Sequence, residues 1–147
     1  MDNSTENADT LYEVEDGIAT ITLNRPDQMN TLGGSMMELV SDYMNEAERD
    51  NDVRVIILTG AGRMFCAGLD VVSAQSRAGS QSGTNMPASI PVSLNVKTFP
   101  PAVIFNCEKP VICALNGAAA GFGMDMALCC DIRIMAQGAK FAPTPVK

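Results

Sequence analysis

Asn116-Gly117-Ala118-Ala119-Ala120-Gly121-Phe122-Gly123-Met124-Asp125-Met126-Ala127-Leu128-Cys129-Cys130-Asp131 is the stretch on which the reading of this chain turns. The β-branched pair Val111-Ile112 leads into it and an apolar run over 124–130 leaves it, which predicts strand, small-residue turn and helix. Glycine and alanine let a ligand approach the main chain, and the first N–H groups of a helix lack intrahelical partners. Such a turn can donate to an oxygen on which negative charge develops. With the helix starting near Gly121, the Asp125 carboxylate falls in its first turns and faces the same cavity as those donors. The bland account is that the small residues are packing contacts and the acid complements the helix dipole. These residues alone do not separate the two. The nucleotide fingerprints fail, because Gly121-Phe122-Gly123 has no third glycine at the dinucleotide spacing and no Gly-Lys-Ser/Thr follows.

The chain has 147 residues, 46% hydrophobic and 18% charged, which fits one globular core rather than a disordered polymer. A net charge of -7 with scattered basic residues argues against nucleic acid or an anionic membrane surface as partner. Histidine is absent, which removes Ser-His and Cys-His catalysis and most zinc sites, so no metal is expected. The five cysteines, at 66, 107, 113, 129 and 130, lie mostly in apolar runs without C-x-x-C spacing. They read as reduced core thiols of a cytoplasmic protein. Residues 1–10 are polar and acidic, are expected to form a disordered tail, and contain no apolar signal region. No run is long enough to span a bilayer.

In chain order, two alternating stretches, 10–15 and 18–23, flank Asp16-Gly17 and predict a hairpin. Asn24-Arg25-Pro26 ends it. Ser35 with Glu38 forms the pattern of a capping box, opening a helix to about residue 49 whose apolar face holds Met36, Leu39, Val40, Tyr43, Met44 and Ala47. The apolar run 55–59 predicts a strand buried on both faces, paired in parallel through a helical crossover. Gly62-Arg63-Met64-Phe65-Cys66-Ala67-Gly68-Leu69-Asp70 follows. Here Phe65 and Cys66 pack inward while Ala67-Gly68 opens the backbone at the Leu69 N–H, ahead of a helix over 70–76; a plain bulge or turn explains the stretch as well. Residues 77–90 predict a mobile surface loop, 92–107 a helix interrupted by Pro100-Pro101, and 131–136 and 139–142 further strands. No internal repeat is visible.

Gly17-Ile18-Ala19-Thr20-Ile21-Thr22-Leu23-Asn24-Arg25-Pro26, then Phe65-Cys66-Ala67-Gly68-Leu69-Asp70, then Lys109-Pro110-Val111-Ile112 and Asn116-Gly117 through Cys130-Asp131-Ile132-Arg133, in this order and spacing, resemble the enoyl-CoA hydratase/isomerase (crotonase) family from about residue 11 onward. The resemblance implies an α/β crotonase-like core over 11–147, built of ββα repeats in a spiral and truncated before the family's C-terminal helices. It implies an acyl- or enoyl-CoA substrate, with coenzyme A as part of the substrate and no separate cofactor. It also implies a homo-oligomer, a trimer or dimer of trimers. The family's oxyanion hole maps to the backbone N–H groups of Leu69 and Phe122, supported by Gly68, Gly121 and Gly123. Its backbone contacts to coenzyme A map to Ala67, Leu69, Asp70 and Val71, and its first carboxylate to Asp125.

Three departures bear on the reaction. The family's second glutamate matches Pro145, which moves no proton; Phe122 replaces the usual middle glycine and adds bulk over the acyl pocket; and Asp27 stands where some members carry a lysine near the coenzyme's phosphates. The expectation is therefore hydratase or isomerase chemistry through an oxyanion-stabilised enolate, the alternative being a coenzyme A thioester binder with little catalysis. A chain stopping in a predicted strand is further expected to leave one sheet face apolar and open.

Overall fold

The computed structural model describes residues 8–70 and 97–143. The helix expected beyond residue 70 and the loop expected over 77–90 lie outside them. β1 (Thr10–Glu15) and β2 (Ile18–Leu23) form the antiparallel hairpin, pairing Thr10 with Leu23 and Glu15 with Ile18. Asp16 and Gly17 take φ +50° and +80°, the left-handed pair whose twist suits a two-residue connection. β2 continues in parallel to β3 (Val55–Gly60), which pairs with β5 (Val111–Leu115), which pairs with β7 (Ile132–Met135). A second, all-parallel sheet runs β4 (Met64–Cys66), β6 (Ala118–Ala120), β8 (Phe141–Ala142).

Helix α1 (Met36–Arg49) follows the hairpin, α2 (Pro100–Asn106) precedes β5, and α3 (Phe122–Cys129) precedes β7. Each of the pairs β3-β4, β5-β6 and β7-β8 puts its first strand in the large sheet and its second in the small one. The result is a spiral of strand, strand, helix. Its core lies on one face of the large sheet, where Ala19, Ile21, Leu23, Ile56, Leu58, Val111, Cys113 and Leu115 meet the Met36, Val40, Met44 and Ala47 stripe of α1. Tyr12 of β1 stacks on Tyr43 of α1 with ring centroids 5.0 Å apart. Each large side chain buried there contributes about 1.5–3 kcal/mol.

Several expectations change. The β3 run is not buried on both faces: Ile56 and Leu58 are fully buried while Val55 and Ile57 are half-exposed. The half-exposed face continues through Ile112 to Ile132 and Ile134, which are 52% and 61% exposed, so among the described residues this face is open at β7. The small-residue turn contains a strand, β6, because three alanines are slim enough to lie between β4 and β8. Pro100 and Pro101 begin α2 instead of interrupting a helix, since at the first helical positions proline has no N–H to lose and its φ is already helical.

Ser35 precedes α1 but makes no capping bond. Its N–H and Oγ–H both donate to Asp9 Oδ2, at 2.9 and 3.0 Å, a charged acceptor stronger than the box it displaces. Asp9 is itself held by the Asn24 N–H, which donates to its carbonyl at 2.8 Å. The tail expected over 1–10 is thus structured from residue 8, and Thr10 is fully buried.

Asn30 pins the loop after β2. It is completely buried, its Oδ1 accepts from the Arg25 N–H at 2.8 Å, and its Nδ2 donates to the Ala61 and Met64 carbonyls, each at 2.8 Å. Asn30→Ala strands the Arg25 N–H and the Ala61 carbonyl, while the Met64 carbonyl keeps Asn116, and is expected to cost about 2–4 kcal/mol. Chemical denaturation measures this, and a loss below about 1 kcal/mol would show that water replaces the amide.

Candidate active site

The site begins where β4 begins. The Met64 carbonyl accepts from Asn30 Nδ2 and also from Asn116 Nδ2 at 3.2 Å, while Asn116 Oδ1 accepts from the Gly60 N–H at 3.1 Å. β4 therefore starts in a fixed place relative to β3 and β5. After Cys66 the Ala67 N–H donates to the Met29 carbonyl at 3.0 Å, the Leu32 N–H to Gly68 O at 2.8 Å, and the Asp70 N–H to Leu32 O at 3.2 Å. This is a parallel bridge between Leu32 and Leu69 that uses the groups of residues 68 and 70. The N–H of Leu69 points away from Leu32.

On that other side lies the stretch that opens α3. Gly68 has φ +99°, and a Cβ built on it would stand 3.1 Å from the Ala120 carbonyl oxygen and 3.7 Å from the Phe122 nitrogen. Any other residue at 68 is strained and crowds the start of the helix. Gly121, with φ +49° and ψ −123°, turns the chain from β6 into α3. The Asp125 N–H donates to Gly121 O at 3.1 Å, the first helical bond, so the Phe122 N–H has no intrahelical acceptor. The Leu69 and Phe122 amides, the expected donor pair, thus come from two abutting stretches that leave neighbouring strands, β4 and β6, of the small sheet.

Cys66 is wedged between them. The Gly68 N–H donates to its Sγ at 3.4 Å, and a Cβ at Gly123 would stand 2.6 Å from the Cys66 Cβ and 2.7 Å from the Sγ. Only glycine lets α3 approach β4 this closely. Burial pushes the Cys66 thiol up to about 11, against the weaker opposing pull of the Gly68 amide.

A charge network steadies the outer side. Arg25 reaches Asp70 Oδ2 at 3.4 Å and Asp9 Oδ1 at 3.6 Å, donates to Thr31 O at 2.8 Å, and bonds the Gln28 side chain. It ties the 25–32 loop to the residue after Leu69. Of the expected coenzyme A contacts, Ala67 and Asp70 have committed their amides to Met29 and Leu32. Val71 and Pro145 lie outside the described residues. Asp27 is exposed, in a 3-10 turn over Pro26–Gln28.

Asp125 stands in the first turn of α3 with its side chain exposed. It is near Cys129, one turn on, whose thiol is raised by burial and by the Asp125 charge. All five cysteines are free thiols, and the Cys130 thiol is raised by a hydrogen bond with Cys113 and by burial. Asn30, Asn116, Arg25 and Cys66 are structural parts of the site that sequence reasoning missed. The two asparagines read as turn formers, Arg25 as part of a strand end, and Cys66 as anonymous core.

Two sheets joined by a strand-strand-helix spiral, with a glycine-bounded pair of amides at their junction, define a crotonase-like α/β protein. The chain belongs to the enoyl-CoA hydratase/isomerase family, whose model matches residues 13–147. It is 40% identical over 137 residues to 1,2-epoxyphenylacetyl-CoA isomerase of Escherichia coli (strain K12), covering 89% of this chain and 48% of that protein. To a probable enoyl-CoA hydratase of Rhodobacter capsulatus it is 37% identical over 132 residues, covering 88% and 47%. Among solved structures it resembles an enoyl-CoA hydratase/carnithine racemase from Magnetospirillum magneticum at a TM-score of 0.78 and 33% identity, over 92% of this chain and 49% of that one. The chain spans about half the length of the curated relatives it matches.

Cys66 gives the junction a measurable pH signature. The thiol ionises near 9.0 when the chain is unfolded and at about 11 when folded, so the stability it contributes is full below pH 9 and is lost as pH rises to about 11. Comparing urea denaturation of the wild type and Cys66→Ala from pH 8 to 11 should show the wild type losing on the order of 2 kcal/mol more than the variant. Parallel curves would mean that the thiol is hydrated.

Proposed function

We propose that the chain binds a coenzyme A thioester with its carbonyl oxygen between the Leu69 and Phe122 N–H groups, and that Asp125 carries the proton in an isomerisation of the acyl group. The observation behind this reading is the closeness of Gly68, at φ +99°, to the start of α3, where a Cβ built on it would stand 3.7 Å from the Phe122 nitrogen. Fixed amides aimed at a developing enolate oxygen are worth about 3 kcal/mol each in acyl-transfer enzymes. With the charge held there, a single carboxylate suffices to take a proton from C2 of a 3-enoyl thioester and return it at C4, leaving the double bond conjugated with the thioester. Hydration needs a second group to activate water, and the position matching the family's second glutamate is Pro145. Isomerisation therefore fits this set of residues better than hydration. The backbone of Ala67, Leu69, Asp70 and Val71 is assigned the contacts to the adenine portion of coenzyme A.

The exposure of Asp125 favours a second reading, a thioester-binding chain with little turnover, because a proton-transfer site open to water loses much of its electrostatic advantage. Absorbance of the conjugated thioester, followed with a 3-enoyl-CoA and with crotonyl-CoA, separates the readings. Isomerisation predicts conversion of the first, falling by about two to four powers of ten in Asp125→Asn while thioester binding survives. Unchanged turnover in that variant would remove Asp125 from the mechanism.

Gly68→Val tests the donor geometry independently. Strain at φ +99° and contact with the Ala120 carbonyl should abolish both turnover and thioester binding, with circular dichroism confirming a folded chain. A folded Gly68→Val protein that binds thioesters normally would reduce this stretch to a turn.

A further inference from the structure

The ring of Phe122 has no part in the reading above, which uses only its N–H. Because ring and N–H belong to one residue, a thioester oxygen bound at that N–H brings its acyl group within a side chain's length of the ring. Gly121 and Gly123 flank it, so no neighbouring side chain along the chain shields it. Phe99 fixes it from the other side: the rings meet edge to face, with centroids 5.2 Å apart and planes at 84°. Phe99 caps α2 immediately before Pro100 and Pro101, whose rings restrict the backbone that carries it. Both phenylalanines are only half-buried, so the pair offers apolar aromatic surface beside the proposed oxyanion donors. Asp125, three residues along α3, stands on the same side of the helix as Phe122 and carries the only charge in that helix.

We infer that the Phe122–Phe99 pair forms the specificity wall of the acyl site and selects a planar, aryl-type acyl group over a saturated or carboxylated one. This rests on the thioester reading proposed above. A third flat ring extends an edge-to-face pair with its quadrupole matched, whereas a puckered ring of the same size meets the wall through axial hydrogens. An acyl group ending in a carboxylate is turned away by Asp125 and by the chain's net charge of -7.

Isothermal titration with benzoyl-CoA, cyclohexanecarbonyl-CoA and free coenzyme A tests the inference, since neither thioester carries a double bond to isomerise. The wild type should bind benzoyl-CoA roughly five- to tenfold more tightly than cyclohexanecarbonyl-CoA. Phe122→Leu and Phe99→Leu, which keep the amide and the apolar bulk, should each bring that ratio close to one, and Phe99→Leu should leave free coenzyme A binding unchanged. Equal affinities in the wild type, or a ratio that survives both substitutions, would overturn the wall while leaving the thioester site standing. If neither thioester bound more tightly than coenzyme A itself, the thioester reading and the wall would fall together.

Discussion

The carbonyl of Met64 is the point on which the arrangement hangs. β4 is three residues long and, among the described residues, is flanked in its sheet only by β6, so its ladder alone gives little hold. Two side-chain amides supply it, Asn30 from the loop after β2 and Asn116 from the end of β5, both donating to that one oxygen. A carbonyl has two lone pairs, and here both are used. The strand that ends at Cys66 is thereby registered against the large sheet, and the backbone of Gly68 arrives beside the start of α3. In a site that works through amide direction, displacement of an ångström is costly, and these buried hydrogen bonds resist it.

Arg25 acts on the other side of the same stretch. Its guanidinium, 12% exposed, faces Asp9 and Asp70, and each pair is too long for an ideal charge-assisted bond. Ion pairs of this geometry add little stability by themselves. Their effect is positional: one planar group joins Asp9, the 25–32 loop and the residue that follows Leu69. Asp9 also holds Ser35 at the entry to α1, so hairpin, first helix and candidate donor share one network. Both members of each carboxylate contact are far apart in sequence: the hairpin brings Asp9 to Arg25, and the bridge between Leu32 and Leu69 brings Asp70.

What could be read from the residues follows the range of the interactions. The hairpin was legible because Asp16-Gly17 carries its turn in two residues, and α1 because its stripe repeats at helical spacing. β4 and β6 were not legible as strands, since three residues show no usable period and their pairing is wholly tertiary. The prolines of α2 were read as breakers because their meaning depends on where the helix begins. The roles of Asn30 and Asn116 are hidden in the sequence because the carbonyl and amide partners that tie them to β3 and β4 lie 31 to 56 residues away. The spiral left no repeat to see, as its turns share backbone course and not side chains. The donor positions, by contrast, came from the family resemblance, and the abutment of Gly68 on Phe122 is a fact of the fold that no local pattern contains.

The composition of α3 ties packing to chemistry. Its eight residues, Phe-Gly-Met-Asp-Met-Ala-Leu-Cys, carry one charge, and a helix so apolar is built to be enclosed on most sides. Among the described residues it is not: Leu128 is 52% exposed and Asp125 is open to solvent. Covering this helix removes apolar area from water and, in the same event, lowers the dielectric around its first amides and its one carboxylate. Amide donors gain strength as water leaves, and a carboxylate losing its hydration becomes a stronger base toward a carbon acid. On the proposed reading, stability and proton transfer therefore depend on the same surface, and whatever covers Leu128 acts on both.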